Sequence, residues 1–198
     1  MLDNVYAVIM AGGRGERFWP LSTSKHPKQV LSLIGNKPML AMAIDYVNGL
    51  IPPERILIIT SEDLVNATCE AAPMLPRRNI IGEPFGRDTA ACVALASAIV
   101  KSRHGSTGFC ILTADHVIEN LDTFQSTLRD GFDLAMSMDV LITIGIRPAF
   151  PSTAFGYIEA GSQIKRDVKT EFFLTKRFVE KPNIETAGTY VKDGNFLW

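Results

Sequence analysis

The sequence has little of what marks several common classes of protein. Its three cysteines follow no Cys-x-x-Cys spacing and its three histidines no metal-ligand spacing, so we expect neither a disulfide framework nor a zinc site. No apolar run approaches the roughly 20 residues that span a bilayer. Lysine and arginine total 20 against 21 aspartates and glutamates, so no bulk charge favours nucleic acid or an anionic membrane as partner. Reduced thiols packed in a core predict a cytoplasmic protein.

The chain does have the composition and periodicity of an α/β domain. Its 198 residues are 46% hydrophobic, enough for a sizeable core. Buried-strand patterns alternate with helical patterns, which predicts a Rossmann-like, open and mostly parallel sheet with helices on both faces. The predicted strands are residues 5–10, 55–60, 79–82, 109–113 and 140–146, and the predicted helices are 39–50, 122–137 and two that begin at Ser61 and Asp88.

The pattern changes after Pro148. Residues 155–160 and 172–179 have strand character, and we predict that they form a small antiparallel or edge part of the fold. Asn183 is a candidate N-cap for a last helix over 184–192, which Gly194 would end. No repeat, linker or boundary interrupts the chain, so we predict a single domain over residues 1–198.

A glycine-rich stretch, MAGGRGERFWPLSTSKHPKQ at residues 10–29, follows the first predicted strand. Glycines at this place let backbone N–H groups converge on phosphate oxygens. The spacing does not fit two familiar phosphate-binding motifs, because Phe18 stands where a dinucleotide fingerprint needs its third glycine and no Gly-Lys-Ser/Thr occurs. A tight turn with solvated arginines stays an alternative, but Arg17 and Lys28 together favour a site for several phosphates.

Further segments carry a resemblance over nearly the whole chain. These segments follow each other in the same order as in the sugar-phosphate nucleotidyltransferases, which the chain therefore resembles. The full set of segments is most similar to that of the mannose-1-phosphate guanylyltransferases, also called GDP-mannose pyrophosphorylases. The segments are AGGRGERFWPLS at 11–22, PKQ at 27–29, EPFGRDTAA at 83–91, TADHVI at 113–118, GIRP at 145–148, FGYI at 155–158, VEKP at 179–182 and FLW at 196–198.

The resemblance implies a reaction in which GTP and α-D-mannose 1-phosphate give GDP-mannose and pyrophosphate. It implies that Arg17 holds the β- and γ-phosphates and that Lys28 offsets charge at the α-phosphate, as the two catalytic residues. The residues that it assigns to the nucleotide are Gly12, Gly13, Arg14, Gly15, Glu83, Pro84, Asp88 and Thr89. As an alternative to a role in nucleotide binding, Glu83 could be an ordinary charged residue of a loop.

Asp115 is the candidate metal ligand, with Mg²⁺ as the implied cofactor. It ends a buried run, and ligands of open α/β sheets bind beyond the carboxyl ends of strands, so Asp115 and the glycine loop can border one crevice. A turn-capping role for Asp115 stays open. The resemblance assigns Gly156, Glu180 and Lys181 to the sugar phosphate, with an exposed Glu180–Lys181 ion pair as the alternative.

The resemblance also suggests how much of a catalytic domain is present. The family continues beyond a Leu-Trp pair with a sugar-binding segment and a later metal-ligating aspartate, so we expect a chain truncated at its C-terminal end. The implied partners are GTP and mannose 1-phosphate, without nucleic acid or membrane, and a homo-oligomer would form through regions outside this chain. Two other functions stay open: transfer with another nucleotide or hexose 1-phosphate, and a non-catalytic nucleotide-binding module.

Overall fold

The computed structural model describes residues 2, 4–13, 20, 31, 36–138 and 140–198. The chain divides into two compact units, Met1–Asp139 and Val140–Trp198. Each unit has its own sheet. The assignment of residues 1–198 to one domain stays a prediction.

The first unit is built on a parallel four-stranded sheet with the strand order β3-β2-β1-β4. Buried apolar runs form its two central strands, as the sequence predicts. The strands are β1 Val5–Met10, β2 Ile56–Ser61, β3 Ile80–Glu83 and β4 Gly108–Thr113, and the helices are α1 Met39–Asp45, α2 Val65–Ala71, α3 Asp88–His104 and α4 Leu121–Ser137. Short 3₁₀ turns at Pro53–Arg55, Glu62–Leu64 and Arg77–Asn79 precede β2, α2 and β3.

Strand β1 shows why helices cover both faces of this sheet. Alternate side chains of a strand point to opposite faces, and in β1 both sets are apolar. Ala7 and Ile9 belong to one core cluster with residues of α1 and α4, whereas Tyr6 and Val8 belong to a second cluster with residues of α3. The prediction of a mostly parallel sheet with helices on both faces is therefore confirmed.

A buried asparagine joins the segments that lead into β2 and β3. Asn79 is fully buried, and its amide nitrogen lies 3.2, 3.0 and 3.0 Å from the carbonyl oxygens of Pro53, Glu54 and Ile56, which share its two N–H donors. Its oxygen accepts a hydrogen bond of 2.8 Å from Arg103, in the last turn of α3. One side chain thus satisfies polar groups of two segments, residues 53–56 and the last turn of α3, that are distant from it in sequence.

The second unit is a three-stranded sheet with the order β6-β5-β7, and both of its strand pairs are antiparallel. Its elements are β5 Tyr157–Ile164, β6 Phe172–Val179, α5 Ile184–Asp193 and β7 Phe196–Leu197. The predicted antiparallel part and last helix are confirmed. Asn183 Oδ1 accepts from the Thr186 amide at 2.8 Å, and Gly194 ends α5 with a φ of +80°, a left-handed value that glycine adopts without strain.

The predicted strand over residues 140–146 is wrong. No strand is formed there, and Leu141 is fully exposed. Its β-branched composition favours extended backbone, but a strand also needs a partner for its hydrogen-bonding groups. Within the described part of the second unit, this segment pairs at one point, where Ile146 and Trp198 exchange backbone hydrogen bonds of 3.0 and 2.8 Å.

The helices of both units are short or carry polar residues along their length. Among the described residues, none of the helices combines the length and apolarity that crossing a bilayer would require.

Candidate functional site

A cavity of about 950 Å³ opens at the carboxyl ends of the parallel strands. The segments that follow all four strands contribute to its lining, namely residues 10–13, 61–63, 83–89 and 113–115. In open α/β sheets this edge is where ligands bind. The volume is within the range of small-molecule sites.

The cavity brings together most of the residues that the sequence assigns to the nucleotide and the metal. Those on its lining are Gly12, Gly13, Glu83, Pro84, Asp88, Thr89 and Asp115. The other two, Arg14 and Gly15, and the predicted catalytic residues Arg17 and Lys28 lie outside the described residues. The chemical role of each residue stays a prediction.

The first residues of the glycine loop are held against β2. The Ala11 amide donates to the Ile59 carbonyl at 2.8 Å, and the Thr60 hydroxyl donates to the Ala11 carbonyl at 3.1 Å. The Ser61 hydroxyl donates to the Gly12 carbonyl, also at 3.1 Å. Sequence reasoning missed Thr60 and Ser61 as positioning residues. The sequence does contain an indication of this role, because Thr60 and Ser61, two residues with hydroxyl groups, end the strand beside β1.

Gly12 and Glu83 lie next to each other in the cavity. A Cβ atom built on Gly12 would be 3.5 Å from Glu83 Oε2, an ordinary van der Waals distance. Burial, and to a smaller extent the negative charge of Glu83, raises the pKa of Cys92 on the same lining to about 11. The Cys92 thiol is therefore protonated at neutral pH and is a weak hydrogen-bond acceptor. Between Cys92 and Glu83, the carboxylate is the better acceptor for a ligand.

Helix α3 begins at the cavity and carries backbone strain at its first residue. Asp88 has a φ of +59°, and non-glycine residues in that left-handed region store about 1–3 kcal/mol. The N-cap residue, Arg87, makes no side-chain capping bond. The first residues of this 17-residue helix line the cavity, and its N-cap side chain leaves their amides uncapped, an arrangement that suits an anion.

Asp115 lies in the turn that directly follows β4. The Ala114 amide donates to the Met10 carbonyl at 3.1 Å, which extends the pairing of β1 and β4 beyond the strands. This pairing sets Asp115 beside the start of the glycine loop. No cluster of three or more metal-ligating side chains occurs among the described residues. A single carboxylate still fits Mg²⁺, which usually combines one or two carboxylates with substrate phosphates and water.

The second unit brings its three predicted sugar-phosphate residues together. A Cβ atom on Gly156 would lie 3.3 Å from Glu180 Oε2. Lys181 Nζ pairs with Glu180 Oε1 at 2.6 Å, with 60% and 74% of the two side chains exposed. This is the ion pair that the sequence left open, and exposure makes it worth little to stability. Lys181 also has a φ of +38°, a second strained backbone at a predicted site residue.

Tyr157 belongs to the core of the second unit. Its ring is 1% exposed and contacts the rings of Tyr190 and Trp198. Its hydroxyl donates to the Ser152 carbonyl at 3.1 Å and accepts from the Ser152 amide at 2.9 Å. The hydroxyl therefore completes the hydrogen bonding of the buried backbone at Ser152.

We expect Tyr157→Phe to lower the free energy of unfolding by about 1–3 kcal/mol, because both backbone groups of buried Ser152 lose their partner. Urea unfolding followed by circular dichroism measures the change. Tyr190→Phe is the matched control and should stay within about 0.5 kcal/mol, since the Tyr190 ring keeps its stacking on Phe196. Equal stabilities of the two variants would show that the Tyr157 hydroxyl contributes nothing.

Comparison with known proteins places this arrangement in a family. A family model described as nucleotidyl transferase matches residues 6–198. Mannose-1-phosphate guanylyltransferase of Escherichia coli is 39% identical over 201 residues, covering 99% of this chain and 41% of that protein. Mannose-1-phosphate guanylyltransferase ManC of Salmonella typhimurium is 38% identical, covering 98% and 41%. The chain thus spans about two fifths of the length of these curated relatives.

A solved structure gives the same result for the fold. It is described as mannose-1-phosphate geranyltransferase from Thermus thermophilus, and it superposes with a TM-score of 0.84 at 33% sequence identity. The match covers 98% of this chain and 55% of that one.

Proposed function

We propose that this chain, which belongs to the nucleotidyl transferase family, carries out the transfer of GMP from GTP to α-D-mannose 1-phosphate. Enzymes of the family act on a nucleoside triphosphate and a sugar phosphate and generally use a divalent metal ion. The observation that carries the proposal is the cavity at the carboxyl ends of four parallel strands, which joins the glycine loop to Glu83, the start of α3 and Asp115. The relatives named for this reaction support the choice of GTP and mannose 1-phosphate.

The chemistry is an in-line displacement between two anions. An oxygen of the sugar phosphate attacks the α-phosphorus of GTP, a new P–O bond forms, and the bond to pyrophosphate breaks. Catalysis is then mainly charge neutralisation and positioning. The amides of the loop at Gly12 and Gly13 and of the α3 start receive phosphate oxygens, Arg17 stabilises the departing pyrophosphate, and Lys28 offsets charge at the α-phosphate.

Asp115 is the residue that would hold Mg²⁺ in this enzyme. The ion supplies positive charge that neutralises and orients the phosphates when it is bound. Asp115 contributes an anionic oxygen ligand at the edge where the glycine loop begins.

Glu83 is the candidate for reading the base. Guanine presents an N1–H and an amino group on one edge, and a carboxylate can accept from both. Adenine has an acceptor at N1, so the same carboxylate would face an unpaired lone pair.

In the second unit, Lys181 is the candidate for the phosphate of mannose 1-phosphate and Glu180 for sugar hydroxyls, and Gly156 leaves room for the ring.

Pyrophosphate release, measured across several nucleoside triphosphates and hexose 1-phosphates with the protein that carries this chain, tests the function. We expect the pair of GTP and mannose 1-phosphate to give the highest kcat/KM, by about tenfold or more over other pairs. Lys28→Ala serves as the control for contaminating activity. If another pair gives the highest kcat/KM, the substrates named in this proposal are wrong. If the protein binds GTP but turns over no pair, it is a nucleotide-binding module and not an enzyme.

We expect Gly12→Ala to weaken GTP binding by about tenfold or more without unfolding the chain. The added methyl group finds Glu83 Oε2 at an ordinary contact distance of 3.5 Å, so the fold accepts it. It would, however, stand between the loop backbone and the phosphates that must approach it. Calorimetry with GTP and thermal unfolding measure the two effects.

Gly131→Ala is the matched control for this prediction. It makes the same change in α4, where a Cβ atom would have no neighbour within 4 Å, and it should leave GTP affinity unchanged. Full GTP affinity in Gly12→Ala would remove Gly12 from the binding site.

A further inference from the structure

We propose that a second cavity in the first unit binds a small phosphorylated ligand. This cavity has a volume of about 450 Å³ and lies at the edge of the parallel sheet where the strands begin. The first cavity, called the crevice below, lies at the opposite edge, where the strands end. Its lining consists of Tyr6, Glu54, Arg55, Arg78, Arg103 and His104. The volume suits a sugar phosphate or a mononucleotide.

The net positive charge of this cavity favours the binding of an anion. Three arginines and one glutamate leave it with a net charge of +2 when His104 is neutral, in a chain whose net charge is −1. Among the ion pairs of the described residues, none involves Arg55, Arg78 or Arg103. Like charges gathered around one cavity repel each other, and a bound phosphate would remove that repulsion.

Two of the three arginines are held in place before any ligand arrives. Arg103 donates to Asn79 Oδ1 at 2.8 Å and to the Arg78 carbonyl at 2.7 Å, which fixes the plane of its guanidinium. The Arg55 guanidinium carbon lies 5.4 Å from the centre of the Tyr6 ring, a cation–π distance. A guanidinium whose orientation is already set loses little entropy on binding, and its fork of N–H groups matches phosphate oxygens.

His104 adds a hydrogen-bonding group to the same cavity. Its Nδ1 lies 2.5 Å from the hydroxyl of Tyr6, whose side chain is buried. When that hydroxyl donates to Nδ1, the ring proton is on Nε2, which then serves as a donor to an anion.

Helix α3 explains only part of this cluster. Basic residues in the last turn of a helix are favourable next to its negative dipole end, and this accounts for Arg103 and His104. Arg55 and Arg78 belong to the turns before β2 and β3, outside that helix. Their convergence on one cavity is therefore independent of α3. A compact cavity in an overall acidic chain favours a small phosphorylated molecule over a nucleic acid.

Side-chain and backbone NMR of the isotope-labelled chain, titrated with inorganic phosphate and with pyrophosphate at constant ionic strength, tests the proposal. We expect saturable shifts of the His104 ring and of the amides of residues 54–56 and 78–79. The double variant Arg55→Gln/Arg78→Gln should weaken binding by about tenfold or more, since each lost guanidinium removes charge-assisted hydrogen bonds. If that variant does not fold, Arg78→Gln alone, at an exposed side chain, makes the same comparison.

Arg77→Gln is the matched control, because Arg77 neighbours Arg78 in sequence, donates to Asn66 and is absent from the cavity lining. It should leave phosphate affinity unchanged. Non-saturating shifts, equal affinity in the double variant, or shifts confined to residues 10–13 and 83–89 would each overturn the proposal. The last result would mean that only the crevice binds phosphate, which leaves the proposed enzymatic function untouched.

Discussion

We expect Asp115→Asn to lose at least about 100-fold in kcat/KM for the proposed guanylyl transfer, with a requirement for about tenfold more Mg²⁺. An asparagine oxygen is a neutral ligand and attracts a divalent cation less than a carboxylate does. The turn that holds Asp115 should survive, because its backbone position is fixed by the bond from the Ala114 amide to the Met10 carbonyl.

Initial rates over a series of Mg²⁺ concentrations measure both effects, and thermal unfolding confirms the fold. Asp133→Asn, the same change at an exposed position of α4, is the matched control and should keep full activity. Normal turnover and normal Mg²⁺ dependence in Asp115→Asn would show that Asp115 only shapes its turn.

The second large effect concerns stability. We expect Asn79→Ala to lower the free energy of unfolding by about 3 kcal/mol, because buried polar groups that lose their partner each cost about 1–3 kcal/mol and do not add fully. The carbonyls of Pro53, Glu54 and Ile56 would lose their donor, and Arg103 would lose an acceptor.

Urea unfolding measures this loss, and Asn66→Ala is the control. Asn66 is exposed and accepts one long hydrogen bond, 3.4 Å from Arg77, so its removal should cost less than about 0.5 kcal/mol. Asn79→Asp separates the two halves of the side chain, because it keeps an acceptor for Arg103 but cannot donate to the carbonyls. A loss below about 1 kcal/mol in Asn79→Ala would show that water or rearrangement replaces these bonds.

The sequence predicts most of the fold where local signals and burial agree. Strand β1 is found over its observed range because an apolar run before a glycine loop has few other interpretations. Helix α5 is found because Asn183 and Gly194 mark its two ends. The segment 140–146 is also largely apolar, but within the described part of the second unit its backbone pairs only at its end, where Ile146 bonds to Trp198. Composition therefore cannot separate a strand from an extended segment that lacks a partner.

The two cavities differ in how far the sequence predicts them. The crevice was predictable, because its residues follow the carboxyl ends of consecutive parallel strands and form recognisable motifs. The second cavity was not, because Arg55, Arg78 and Arg103 come from three segments with no shared spacing. The role of Asn79 was not predictable either, because the sequence places it at the start of a predicted strand and no local signal shows that its side chain bonds to other segments.

The strand order has a consequence for synthesis on the ribosome. Strand β1 emerges before the other three strands of its sheet, yet one of its two neighbours is β4, with Val5 opposite Gly108. At about 5–20 residues per second, roughly 5–20 seconds of translation separate the two partners. During that interval the nascent β3-β2-β1 sheet would present the backbone of β1 as an open edge, which is a template for pairing with other chains. For this sheet, chaperone demand during translation should therefore be greatest before β4 has left the exit tunnel.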